Sequence, residues 1–359
     1  MTQVLSERPP VAELRHLSLR RARLPRWAPG LTGVLALAAA GVVALVAGLG
    51  PVATVLVASL VFLVALPGWS RAVEGSRAAK DRLVTALVWG ALAVALAPLA
   101  SLLWKVVSVG APQVNARFLT WSMRNVVGEP GGIYHAVIGT LLITLTAAVI
   151  SVPVGLLSAV YLVEYGGSSR LASAIRFLVD VMTGIPSIVA GLFAYAVFSL
   201  LVGPGTQLAL GGGVALSLLM VPIVVRSTEE MLKLVPHELR EAALALGVPR
   251  WRVILKVVLP TSLGGIVTGV TLAIARVIGE TAPLLIICGS TDSVNFNVFG
   301  GQMASLPVFI YSSYTAPGTQ PQILQGMAWG AAFVLVVIVM VLNLVARLVG
   351  RLLAPRTQR

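Results

Sequence analysis

The sequence predicts an all-α fold, a polytopic transmembrane helix bundle of about eight spans. Three observations predict it. The 359-residue chain is 57% hydrophobic and only 11% charged. Its mean hydropathy is +0.94, a value soluble chains of this length rarely reach. Its apolar residues also fall in runs of about 18 or more, the length a helix needs to cross the hydrocarbon core.

In chain order, residues 1–30 form a basic N-terminal segment and residues 31–104 hold the first spans, expected at 31–49, 52–69 and 83–104. The first two are joined by the tight GLGP of Gly48 to Pro51, so a re-entrant hairpin is an alternative to two full spans. Further spans are expected at 133–161, 172–202, 208–226, 263–288 and 326–348, before a tail at 351–359. Within 172–202, Pro186 removes an intrahelical bond and predicts a kink or break near Gly184. Irregular backbone of that kind belongs in a bundle interior or a cavity wall, where Thr183 and Ser187 would present hydroxyls.

Orientation follows from the short basic loops. Arg15, Arg20, Arg21, Arg23 and Arg26 precede the first span; Arg71, Arg77, Lys80 and Arg82 follow the second; Arg347, Arg351, Arg356 and Arg359 end the chain. With eight spans these segments fall on one side, together with residues 164–170 and 226–256, so both termini are expected in the cytoplasm. The weakly charged loops 105–132 and 289–325 fall on the other side.

The net charge of +13 is dispersed among these loops without a basic stripe, which fits an anionic membrane surface better than nucleic acid. One cysteine, Cys288, excludes an intrachain disulfide and a CxxC site. His16, His135 and His237 lie in unrelated segments, and no GxSxG elbow occurs. The run Gly211–Gly213 neither follows a strand nor precedes a Lys-Ser/Thr pair, so it is no phosphate-cradling loop. No catalytic constellation is present, and any ATP this chain depends on must sit on a partner.

The most informative polar stretch is VPHELREAALALGVPRWRVILKVVLP, residues 235–260. Pro236 suits a helix start, and Glu238 and Glu241 fall near its positive dipole end. Leu239, Ala243 and Leu246 form an apolar stripe; Gly247 and Pro249 then turn the chain into a second helix carrying Arg250, Arg252 and Lys256. The residues alone admit two readings, a helix on the bilayer surface or one inserted into a protein groove.

The spacing Glu241, Ala242, Ala243, three residues, Gly247, nine residues, Val257, one residue, Leu259, Pro260 resembles the EAA loop of ABC-transporter permeases, with Val257 where that family usually has Ile. ARVIGETAPLL (275–285), GIPSIVAGLF (184–193), VRSTEEMLKLVPHELREAALALG (225–247) and ASLPVFIY (304–311) are similar to the A-type subunit (PstA) of the phosphate ABC permeases. The likeness spans roughly residues 130–350 and implies a six-span importer core, with a coupling loop at 235–260, preceded by two additional N-terminal spans. It further implies that Glu241, Ala242, Ala243 and Gly247 meet an ATPase subunit. The implied partners are a homologous C-type permease, two ATPase subunits holding ATP and magnesium, and an extracytoplasmic phosphate-binding protein. This chain itself would bind no cofactor. Loop 289–325, with Asn295, Asn297, Gln302, Tyr311 and Tyr314, is the expected contact for the binding protein.

The apolar run also holds Arg276 and Glu280, four positions apart and expected on one helix face within pairing reach. A charge at bilayer depth costs about 2.5–3.5 kcal/mol on insertion scales, so neither is expected to face lipid. An ion pair that only seats the helix is one reading; an arginine whose donor fork takes an oxyanion is the other, and the resemblance favours it. The expected translocation residues are therefore Arg276, Glu280, Thr281, Thr183 and Ser187. Arg176 and Asp180, also four apart, are expected to pair near the cytoplasmic end. Competing readings are a secondary transporter with Glu280 or Asp180 as proton carrier, a permease for another oxyanion, and a scaffold without transport.

Overall fold

The computed structural model describes residues 23–126 and 129–353, with side chains to residue 350. Arg15, His16, Arg20, Arg21, Arg356 and Arg359, and the side chain of Arg351, lie outside that description. The described residues hold α-helices and no strand. They divide into two compact units, residues 1–102 and 103–359.

In the first unit α1 (Ala28–Ala47) packs on α2 (Pro51–Val73). Gly48 ends α1 in the left-handed conformation, and Pro51 opens α2 at a position where its missing N–H costs nothing. Each helix is long and apolar enough to cross a membrane by itself. The third helix, α3 (Ser76–Lys105), follows a turn stapled by Glu74. The Glu74 carboxylate accepts from Leu24 N at 2.7 Å, Ser70 Oγ at 2.7 Å, Arg82 Nε at 2.8 Å and Arg82 Nη2 at 2.9 Å. The bonds from Arg82, then that from Ser70, hold the Glu74 carboxyl down from 4.5 to about 2.

The second unit carries α4 (Ala116–Thr120), α5 (Tyr134–Val160, extended by a π turn over Tyr161–Tyr165), α6 (Arg170–Thr183), α7 (Ser187–Leu201) and α8 (Ala209–Lys233). After these come α9 (His237–Ala245), α10 (Arg250–Val253), α11 (Leu259–Val277), α12 (Ala282–Ile287), α13 (Leu306–Thr315) and α14 (Pro321–Leu353). The central packing is α5 on α8, with α11 against α8 and α14. Ile143, Leu216, Met220, Val224, Ala273, Val277, Leu284 and Ile287 form the middle of the core. A second cluster under α9 joins Leu162, Val179, Leu232, Val235, Val253 and Val258. The Gly211–Gly213 run lies inside α8, where its bare surface receives Ile287 and Thr146. Small residues permit this closeness where no hydrophobic force drives helices together. His135 is buried edge-on to Phe309 with ring centroids 5.7 Å apart, and Cys288 is fully buried in packing.

Among the described residues seven helices are long and apolar enough to cross, and eight crossings result if the bent pair α6–α7 counts as one. Connectivity supports that count. The ends of α5 and α8 meet beside α9, through Glu164 and Leu232, whereas the start of α8 bonds to Ile287 and Val298 at the opposite end. The chain must therefore return between them through α6 and α7.

The break expected near Gly184 is present: the span expected at 172–202 is two helices bent by 109°, because Pro186 cannot donate within a helix and its predecessor is driven to an extended or turn conformation. One expected span is corrected. The span expected at 263–288 instead begins at Arg250 and stops at Val277, with α12 a separate helix after it. Gly279 lies within that interruption, and Pro283 stands in the first turn of α12 after it.

Candidate functional site: translocation face and coupling helix

Arg276 occupies the last turn of α11, where a cation meets the negative end of the helix dipole. It is exposed. Glu280 lies past the helix end, its N–H donating to Val277 O at 3.1 Å in a turn, and its side chain is half-buried. The expected pairing of the two on one helix face is therefore not present. Spacing of four places side chains together only while the helix continues, and here it ends one residue after Arg276. Among the described residues neither side chain has an ion-pair or hydrogen-bond partner. Thr281 is half-buried at the residue preceding α12, and its hydroxyl caps nothing.

At the other break, Thr183 is exposed and its hydroxyl donates to Asp180 O at 2.6 Å, so that proton is used on its own helix. Ser187, half-buried, is the first residue of α7. One close approach joins the two breaks. α7 packs on α12, and a Cβ on Gly191 would stand 2.5 Å from Pro283 Cα. Gly191 is one turn beyond Ser187, and Pro283 is two residues beyond Thr281. The two interrupted segments thus share one contact.

Residues 235–260 form the two expected helices, α9 and α10, though Pro236 caps α9 from outside its first turn. No residue of α9 is buried. Glu241 and Ala242 are exposed, whereas Ala243 turns toward the core cluster beneath. Leu239 and Leu246 of the expected stripe are exposed, Leu246 at 84%. Gly247 turns the chain at φ 75°.

Residues 151–359 match the family described as "Binding-protein-dependent transport system inner membrane component". The chain belongs to this family. The match contains α9 and both breaks, and membership in a binding-protein-dependent family disfavours the gradient-driven and scaffold readings. Among relatives of this permease, one of Mycobacterium tuberculosis (strain CDC 1551 / Oshkosh), "Phosphate transport system permease protein PstA 1", is 48% identical over 239 residues, covering 66% of this chain and 77% of its own. A Mycobacterium leprae (strain TN) protein, "Phosphate transport system permease protein PstA", is 48% identical over 62% of this chain and 72% of its own. One of Pasteurella multocida (strain Pm70) with the same name is 42% identical over 58% and 73%.

Several side chains of the permease escaped the sequence reading. Arg176 and Asp180 do not pair with each other. Arg176 reaches Glu229 at 3.7 Å, Asp180 binds Arg226, and Lys233 joins Glu229 at 2.8 Å, so the charges bridge α6 to α8. Arg240 of α9 pairs with Glu164 at 3.0 Å. Separated by 76 positions, those two leave no local pattern to find. In loop 289–325 Asn295 donates to Gly300 O and Gln302 O and accepts from Asn297 N, while Gln302 donates to Gln207. Asn295 staples the loop to itself and Gln302 ties it to Gln207, and the large apolar and aromatic side chains it exposes are Phe296, Phe299, Tyr311 and Tyr314.

Proposed function

We propose that this chain is the transmembrane permease subunit of an ATP-driven importer of inorganic phosphate, forming half of the translocation path. The observation that carries the substrate is the 48% identity, over 239 residues, to a protein named for phosphate transport. The geometry fits the task. Arg276 is exposed at the end of a continuous helical stretch, Arg250–Val277, that begins next to the coupling turn. Movement of α9 would therefore reach the anion site without crossing a flexible loop.

In this mechanism Arg276 draws desolvated phosphate with a bidentate donor fork. The Glu280 carboxylate accepts a hydrogen bond from the protonated oxygen of hydrogen phosphate, which sulfate lacks. The hydroxyls of Thr281 and Ser187 supply further donors, with Thr183 secondary because its proton is engaged. On the cytoplasmic face Glu241, Ala242, Ala243 and Gly247 form the contact with an ATPase subunit, Ala243 and Gly247 by setting the pose of α9. The partners are a homologous C-type permease, two ATPase subunits carrying ATP and magnesium, and an extracytoplasmic phosphate-binding protein that meets loop 289–325. This places the multi-pass chain in a bacterial plasma membrane with both termini cytoplasmic.

The test is uptake of labelled phosphate by vesicles containing the intact complex, with sulfate as competitor. ATP-dependent phosphate uptake that excess sulfate leaves unchanged is expected. Uptake that persists without ATP, or that sulfate competes away, would overturn this function.

A further inference from the structure

We infer that Arg240 is a positioning residue that makes α5 follow the coupling helix, a role that rests on the reading of α9 as the ATPase contact. None of the α9 residues is fully buried, and of its apolar side chains only the small Ala243 packs on the core cluster beneath. The polar tie to the bundle is one guanidinium. Arg240 Nε and Nη2 donate to Glu164 Oε1 at 3.1 and 3.0 Å, Nη2 also to Leu232 O at 2.8 Å, and Nη1 to Val235 O at 2.5 Å. Glu164 belongs to the π turn that extends α5, Leu232 lies in the last turn of α8, and Val235 follows just past its end. Helix ends leave carbonyls without intrahelical donors, and a cation there complements the dipole. One planar fork therefore ties three elements at a single point.

The pair is also sheltered. Side-chain exposure is 12% for Arg240 and 13% for Glu164, against 52% and 61% for Arg226 and Asp180. A buried ion pair gains little net stability over apolar packing, because desolvation offsets attraction. Its directional bonds fix orientation instead. The peptide backbone already connects α9 to α8 and, through α10, to α11. Arg240 adds α5, which the backbone does not reach from there. A displacement of α9 is thereby shared by α5, α8 and α11, the helices that pack around the core beneath both breaks. Lysine, a point charge without a fork, would keep the charge and lose the simultaneous bonds.

The experiment uses the complete transporter in lipid vesicles, unaltered or with Arg240→Gln, Arg240→Lys, Glu164→Gln or Arg240→Gln with Glu164→Gln. Three quantities are measured: copurification of the ATPase subunit, phosphate moved per ATP hydrolysed, and the distance between spin labels on Tyr165→Cys and Glu238→Cys, both exposed positions, with native Cys288 buried. Expected for Arg240→Gln are retained ATPase binding, a fall of at least about fivefold in phosphate per ATP, and a label distance that changes on ATP binding. In the unaltered protein that distance stays constant, and the double variant is no worse than either single one. An unaltered ratio and a constant distance in Arg240→Gln would overturn the role. If Arg240→Gln fails to assemble, Arg240→Lys and Glu164→Gln decide by the same two readouts. A parent complex that moves no phosphate would sink the proposed function, while the label distance would still judge the clamp.

Discussion

Gly191 of α7 stands against Pro283 of α12 so closely that a Cβ on Gly191 would lie 2.5 Å from Pro283 Cα and 3.1 Å from Pro283 O. Real Cβ atoms do not approach backbone so closely, so Gly191→Ala must push the two helices apart. Overpacking of this sort costs typically about 1–3 kcal/mol. We expect Gly191→Ala to lower the melting temperature of the purified permease and to reduce phosphate uptake. Unchanged values for both would mean the contact yields freely.

Arg276→Gln removes the charge and the donor fork from the exposed end of α11 while leaving assembly intact. The loss of a charge-assisted hydrogen bond, about 1.5–3 kcal/mol, corresponds to roughly 10- to 150-fold in uptake. Glu280→Gln is expected to retain phosphate transport and to become sensitive to sulfate. Labelled-anion uptake with competitor measures both. Normal transport by Arg276→Gln would remove it from the path.

The exposed Ala242 of α9 and the turn residue Gly247 after it separate docking from folding. Ala242→Leu adds bulk to an open surface, so stability is unchanged and ATPase copurification falls. Gly247→Ala places a Cβ on left-handed backbone, which costs roughly 1–2 kcal/mol. It should tilt α9, lowering both copurification and melting temperature. Pull-down alongside thermal unfolding distinguishes the two.

Glu74 makes the first unit pH-sensitive in a defined direction. Its carboxyl is held at about 2, below its ordinary 4.5, so the staple contributes fully above 4.5 and is lost as pH falls toward 2. Glu74→Gln should therefore melt below the parent protein near neutral pH, by roughly 2–6 °C, and that gap should close across the same acid window. A gap independent of pH would mean the carboxylate charge plays no part.

Much of the fold was legible because it rests on local chemistry. Hydropathy located the crossings, Pro186 marked the break in α6–α7, and the spacing around Gly247 announced α9 and its turn. Expectations failed where a single-helix rule was carried past a helix end or preferred over a cross-helix partner. Arg276 and Glu280 do not share a helix, and Arg176 and Asp180 turn to Glu229 and Arg226. Asn295 and Asn297 illustrate the same limit, since amides that look available for a partner are consumed in stapling their own loop.

By itself the sequence determined the class of this protein, its apolar spans, its basic loops and the helix-turn-helix spacing around Gly247, since each depends on residue type and short-range spacing. Tertiary structure alone decided that Gly191 meets Pro283, that Glu164 receives Arg240, and that Arg276 sits in the last turn of its helix with no partner among the described residues. Those relationships arise from which helix ends are brought together in the bundle, and contacts between residues remote in sequence leave no periodic trace in it.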